Sequence, residues 1–131
     1  MRILIVEDTL INQEFLKMIL AERGECVVAE SGEEAVALFS EALQATPFDI
    51  VFMDIMLPGI DGLQALEQIR AMEKEADVAP GSEAYAIVAT ALDDDEKASR
   101  AYLHGQAVAY ITKPISQDKV EAELRTFGLI D

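Results

Sequence analysis

Glu7, Asp8, Asp54, Thr90 and Lys113 are the residues of this 131-residue chain whose types and placing could do chemistry together. Asp54 closes the apolar run Ile50-Val51-Phe52-Met53 and precedes a segment broken by Pro58, Gly59 and Gly62. Taken alone, an aspartate there reads as a turn or cap residue. Glu7 and Asp8 close a second apolar run, Ile3-Leu4-Ile5-Val6. If folding brings these three carboxylates into one pocket, two charges about 4 Å apart repel by roughly 4 kcal/mol at an effective dielectric near 20. Such a pocket must hold a proton or recruit a cation. Carboxylates are hard oxygen ligands suited to Mg²⁺, and Mn²⁺ would serve in its place. One cysteine and one histidine make no zinc cluster. Lys113 adds a compact ammonium and Thr90 a hydroxyl donor. A cation, an ammonium and a hydroxyl aimed at one carboxylate suit a phosphoryl group, whose transfer depends on positioning and charge neutralisation. Asp54 then reads as the nucleophile that forms an aspartyl-phosphate. Glu7 and Asp8 read as metal holders, and Thr90 and Lys113 as clamps on the phosphoryl oxygens.

The elements that must position these side chains follow from hydrophobic patterning. Short apolar runs at 3–6, 26–29, 50–53, 85–89 and 108–112 read as strands. Helical patterns separate them. The first covers 11–23, with Phe15, Met18 and Ile19 on its apolar face and Gly24 ending it. The second follows the capping signature Ser31-Gly32-Glu33-Glu34 and carries Ala35, Leu38, Phe39 and Ala42. The third is capped by Asp61 with Gln64 and runs to about residue 72. Another opens at Asp93 with Glu96 and covers 94–104, and the last, capped by Ser116, covers 117–127. The polar stretch 73–84, with Pro80-Gly81, reads as a loop and as the most mobile part. Alternating strands and helices specify an α/β fold, a doubly wound parallel sheet with helices on both faces and right-handed crossovers. In such sheets sites form at the carboxyl ends of the strands. Four of the five expected strands end there at a polar or ionisable group: Glu7-Asp8, Asp54, Thr90 and Lys113.

Composition narrows the classes further. The length suits a single domain, 1–131, and half the residues are apolar, so the chain is globular. A net charge of −15 argues against nucleic acid and against an anionic membrane surface. Cys26 cannot form an internal disulfide, fits a reducing cytoplasm and reads as a small core residue. The apolar start is too short for a signal peptide, and no run approaches a membrane span.

The strand-end residues carry a resemblance. Ile3-Leu4-Ile5-Val6-Glu7-Asp8, Met53-Asp54 with Leu57-Pro58 and Asp61-Gly62, Ala89-Thr90-Ala91, and Tyr110-Ile111-Thr112-Lys113-Pro114 together resemble the receiver domains of two-component response regulators, over nearly the full length. The resemblance implies the flavodoxin-like sheet order 2-1-3-4-5. It implies that Asp54 accepts a phosphoryl group from a phosphohistidine of a sensor histidine kinase or histidine phosphotransfer protein. Mg²⁺ would bind Glu7, Asp8, Asp54 and the backbone carbonyl of Met56. Thr90 would swing toward the phosphoryl group and Tyr110 would turn inward, coupling the charge change to the surface around helix 94–104 and the fifth strand. The Lys113-Pro114 bond would be cis. Such a domain catalyses its own phosphorylation and dephosphorylation and is otherwise no enzyme. It works in the cytoplasm, as a monomer or a phosphorylation-dependent dimer, and binds a downstream protein rather than nucleic acid or membrane. The chain ends at Asp131 with no output domain, which implies a stand-alone receiver. Asn12-Gln13 resembles receivers attached to hybrid kinases, which implies a relay or kinase-regulating role.

Departures from the family pattern are specific. The acidic pair is Glu-Asp, the loop 73–84 is long, and Gly105 is displaced by one position, which bears on the output face. Met56 and Leu92 are apolar where relatives vary, and both would hinder attacking water. His104, at a helix end, and Asp93-Asp94-Asp95-Glu96, at a helix start, read as dipole and capping residues. Tyr85 and Tyr102 read as packing residues. Two rival classes are a phosphorylation-independent interaction module and an enzyme, either a flavodoxin-like cofactor binder or an aspartate-nucleophile phosphatase. The enzyme class lacks support: there is no Gly-rich loop after the first strand, and Met56 stands where a phosphatase would carry a second acid.

Overall fold

The computed structural model describes residues 1–90 and 109–130. Its elements run β1 (Arg2–Val6), α1 (Leu10–Leu20), β2 (Glu25–Ala29), α2 (Gly32–Leu43), β3 (Ile50–Asp54), α3 (Gly62–Glu75), β4 (Tyr85–Thr90), β5 (Ala109–Thr112) and α4 (Gln117–Thr126). The strands form one parallel sheet in the order β2-β1-β3-β4-β5. This is the doubly wound α/β fold expected from the alternation of elements.

The period-two alternation of the strands explains the two layers. Ile3, Ile5, Ile50, Phe52 and Ile87 pack against Leu16, Ile19 and Leu20 of α1 and Val120 and Leu124 of α4. Leu4, Val6, Val51 and Met53 point the other way, onto Ala35, Phe39 and Ala42 of α2 and Ala65 and Ile69 of α3. Both faces of β3 are buried along its whole length, as its continuous apolar run requires.

The helix starts obey local chemistry. The Ser31 hydroxyl accepts the Glu34 N–H, Ser116 accepts the Lys119 N–H, and Asp61 with Gln64 forms a reciprocal capping box. Several expectations need correction. Helix α1 stops at Leu20, short of residue 23, and Met18 is 69% exposed; the buried stripe is Gln13, Leu16, Ile19 and Leu20. A 3.6-residue period permits either stripe, and packing on the sheet selects this one. Helix α3 extends to Glu75, into the stretch expected to be loop. Glu73 there is buried: its carboxylate accepts the Ala84 N–H at 2.7 Å and pairs with Arg70 at 2.7 Å. Cys26 is half-buried on β2, and burial pushes its thiol pKa up. Tyr85 packs its ring on Phe127, 5.9 Å between centroids, as a packing residue. The expected helix 94–104, with Leu92, Asp93 to Glu96, Tyr102, His104 and Gly105, lies outside the described residues.

Candidate functional site

Strand register sets the site. Asp54 is the last residue of β3 and pairs with Ala89; Thr90, the last residue of β4, pairs with Thr112. Both side chains that sequence placed just after strands thus belong to the final strand position, where the sheet still holds the backbone. Glu7 follows β1, and its N–H donates to the Ala29 carbonyl at 3.0 Å. The parallel arrangement delivers all these strand ends to the same edge.

Asp54 is 3% exposed and both of its oxygens are engaged. Oδ2 lies 3.0 Å from Lys113 Nζ, and Oδ1 accepts the Met56 N–H at 3.1 Å. The Lys113 N–H donates to the Thr90 carbonyl at 2.6 Å, which ties the lysine to the end of β4. The peptide bond that follows, Lys113-Pro114, is cis, as expected. Thr90 is fully buried. Met56 exposes 54% of its surface beside the carboxylate, and Tyr110, on β5, exposes 42%.

Glu7, Asp8 and Asp54 each offer a carboxylate oxygen within 4.8 Å of the others. Glu7 and Asp54 are buried and Asp8 is exposed, so the cluster opens to water on one side. Burial, and next the neighbouring Asp54 charge, push the Glu7 carboxyl from 4.5 up to about 7; the Thr9 N–H and Lys113 oppose this. A buried carboxyl held that high marks a place where negative charge is under-compensated. The donor set is all oxygen, with no thiolate or imidazole, so it fits a hard divalent cation such as Mg²⁺.

Gly62 lets this edge close. A Cβ added there would stand 2.2 Å from the Asp54 carbonyl oxygen, and the Gly62 N–H donates to the Ile55 carbonyl at 2.9 Å. In the sequence Gly62 reads as a strand breaker and as part of the receiver-like Asp61-Gly62 pair, with no close approach to Asp54 implied. Gln13 carries no site role there beyond the resemblance, although a lone amide at helical spacing from Leu16 and Leu20 is a readable signal.

An open parallel sheet with buried acids and a lysine at its carboxyl edge defines a doubly wound α/β domain whose site lies at the strand ends. The model of the response regulator receiver domain family matches residues 3–125. The sensor histidine kinase GacS of Pseudomonas protegens is 36% identical over 130 residues, which cover 98% of this chain and 13% of that protein. The chain therefore spans a small part of the curated sensor kinases it matches. Chemotaxis protein CheY of Halobacterium salinarum is 36% identical over 120 residues, 91% of this chain and 89% of that protein. A co-crystal structure from Saccharomyces cerevisiae, of a histidine phosphotransfer signalling protein with the receiver domain of its downstream response regulator, superimposes with a TM-score of 0.81 at 28% identity, covering 98% of this chain and 88% of that one. This chain belongs to the response regulator receiver domain family of two-component systems. Among the described residues, no helix is long and apolar enough to cross a membrane.

Proposed function

We propose that Asp54 is the phosphoacceptor of a two-component phosphorelay. An Asp54 carboxylate oxygen attacks the phosphorus of a phosphohistidine on a histidine kinase or histidine phosphotransfer protein. The new bond is O–P, the N–P bond breaks, and the imidazole keeps the electron pair. Hydrolysis reverses the change: water attacks the phosphorus, and the Asp54 oxygen leaves as carboxylate with release of phosphate. The domain's own residues drive both steps. Lys113 neutralises a phosphoryl oxygen, and the Thr90 hydroxyl donates to another. Glu7, Asp8, Asp54 and the Met56 carbonyl would hold Mg²⁺, which when bound would supply charge neutralisation for the transferring group.

The readout is conformational. Thr90 moves toward the phosphoryl group, and Tyr110, half-exposed on β5, turns inward into the space this leaves. The surface around β5 changes, and a downstream protein binds it or is released. A coupling of about 1–3 kcal/mol is enough for such a switch. The setting is the cytoplasm, where the phosphodonor kinases act.

One observation carries this reading: Lys113 and the Glu7-Asp8 pair, far apart in sequence, converge on the same buried carboxylate. The test is incubation with acetyl phosphate and Mg²⁺, followed by mass spectrometry of wild type and Asp54→Asn. The expected result is a mass gain of one phosphoryl group in wild type, absent in Asp54→Asn and absent with EDTA. No gain in wild type would make the chain a phosphorylation-independent module. Sustained turnover of a substrate with no phosphoryl group accumulating on Asp54 would make it an enzyme.

A further inference from the structure

The face of α1 turned to the sheet carries Leu16, Ile19, Leu20 and one polar residue, Gln13, which is 6% exposed. A buried amide in an apolar stripe needs hydrogen-bond partners. Gln13 Nε2 donates to the Glu7 carbonyl at 2.8 Å. Glu7 lies one residue beyond the register of β1 with β3, which ends at Val6 and Met53. Its carbonyl is therefore past the paired ladder, and α1 supplies a donor.

Glu7 is held on three sides. Its N–H donates to the Ala29 carbonyl at 3.0 Å, its carboxylate accepts the Thr9 N–H at 3.1 Å, and its carbonyl accepts the Gln13 amide. Two of these bonds use backbone donors; Gln13 alone does so with a side chain. The carboxylates of Glu7, Asp8 and Asp54 each bring an oxygen within 4.8 Å of the others, and they repel. A corner under that repulsion keeps its spacing only if its backbone is fixed independently of the cation. Supporting hydrogen bonds of this kind govern metal affinity although they touch no metal.

Resting on the divalent-cation reading of the site, we infer that Gln13 is a positioning residue that fixes the Glu7-Asp8 corner in its cation-binding geometry. Gln13 does not touch the phosphoryl group. It preorganises the carboxylates, so it acts on cation affinity before any phosphodonor arrives.

Isothermal titration calorimetry with Mg²⁺, on wild type, Gln13→Met and Ile19→Val, tests this. Methionine keeps the length and burial of Gln13 but loses the amide donor. Ile19→Val loosens the same helix face without touching Glu7. Gln13→Met should bind Mg²⁺ on the order of tenfold more weakly, while Ile19→Val binds as wild type does. Equal Mg²⁺ affinity in Gln13→Met and wild type overturns the inference. So does equal weakening in both variants, which would mean a general loss of packing. If Gln13→Met fails to fold, the wild-type side-chain amide is followed by nuclear magnetic resonance during a Mg²⁺ titration. A solvent-protected Gln13 amide that shifts with the calorimetric midpoint supports the role; a freely exchanging amide that does not shift overturns it. Absence of Mg²⁺ binding by wild type is a different result, and it overturns the reading of the site itself.

Discussion

Lys113 Nζ stands 3.0 Å from Asp54 Oδ2, across 59 residues of chain, and it is the cation paired with that buried carboxylate. Replacing it with methionine should separate two effects. Phosphorylation by acetyl phosphate should fall by roughly 10²–10³, the usual cost of removing one charge-stabilising donor. Mg²⁺ should bind more tightly, by roughly three- to tenfold, because a like charge has left the site; the low figure reflects a lysine side chain 30% exposed and therefore screened. Kinetics by mass spectrometry and Mg²⁺ titration of the same variant check both halves. Weaker Mg²⁺ binding in Lys113→Met would contradict the charge argument.

Glu7 makes stability depend on pH in a direction opposite to that of an ordinary salt-bridged acid. Its carboxyl rises from 4.5 in the unfolded chain to about 7 in the folded protein. Between those values the folded state holds the extra proton, so stability falls as pH rises, and this group's contribution is fully present only below about 4.5. Urea unfolding in EDTA should therefore show a Glu7 contribution that favours the folded state more at pH 5 than at pH 8, and Glu7→Gln should remove that part of the pH dependence.

The same proton should compete with the cation. Mg²⁺ binding displaces the proton from the Glu7 carboxyl, so affinity should rise with pH up to about 7 and level off above, by at most about tenfold per pH unit for one proton. Titrations in buffers of different ionisation enthalpy would show the released proton. A pH-independent affinity would mean that Glu7 stays protonated in the complex.

Glu73 fixes the segment between α3 and β4 from inside. Glu73→Ala leaves the Ala84 N–H and Arg70 without this partner. Unfolding free energy should drop by about 2–4 kcal/mol, while Glu73→Gln, which keeps an acceptor, should lose less. Phosphorylation of Asp54 at temperatures where the variants remain folded should be unaffected, since Glu73 lies outside the acidic cluster.

Met56 donates its N–H to Asp54 Oδ1 and leaves its side chain largely exposed over the site. An apolar group there should hinder water approaching an aspartyl-phosphate on Asp54, and asparagine should orient it instead. Met56→Asn should hasten loss of the phosphoryl group on the order of tenfold, equivalent to about 1.4 kcal/mol in the barrier. An unchanged decay rate would remove the idea.

Much of this molecule was readable from local pattern. Apolar runs of four or five residues marked all five strands, and the helix starts at Ser31, Asp61 and Ser116 were legible because capping acts within three residues. The types at the strand ends singled out the acids and the lysine that the fold brings together, since a parallel sheet sends every strand end to one edge. Errors arose where local pattern is degenerate. Met18 and Leu16 both satisfy a helical period, and only contact with the sheet chose Leu16. Glu73 read as loop because a charged residue is ordinarily solvated, and only the Ala84 N–H brought against it explains its burial.

By itself, then, the order of residues determined the strands, the caps and the identity of the acids, threonine and lysine that could meet, because those depend on neighbours a few positions away. Tertiary structure decided the distances. Register put Lys113 on Asp54, burial raised the Glu7 carboxyl, close approach required Gly62, and the docking of α1 on the sheet turned Gln13 toward the Glu7 carbonyl. Hydrogen-bond reach and desolvation act through space between segments remote in sequence, so no local pattern contains them.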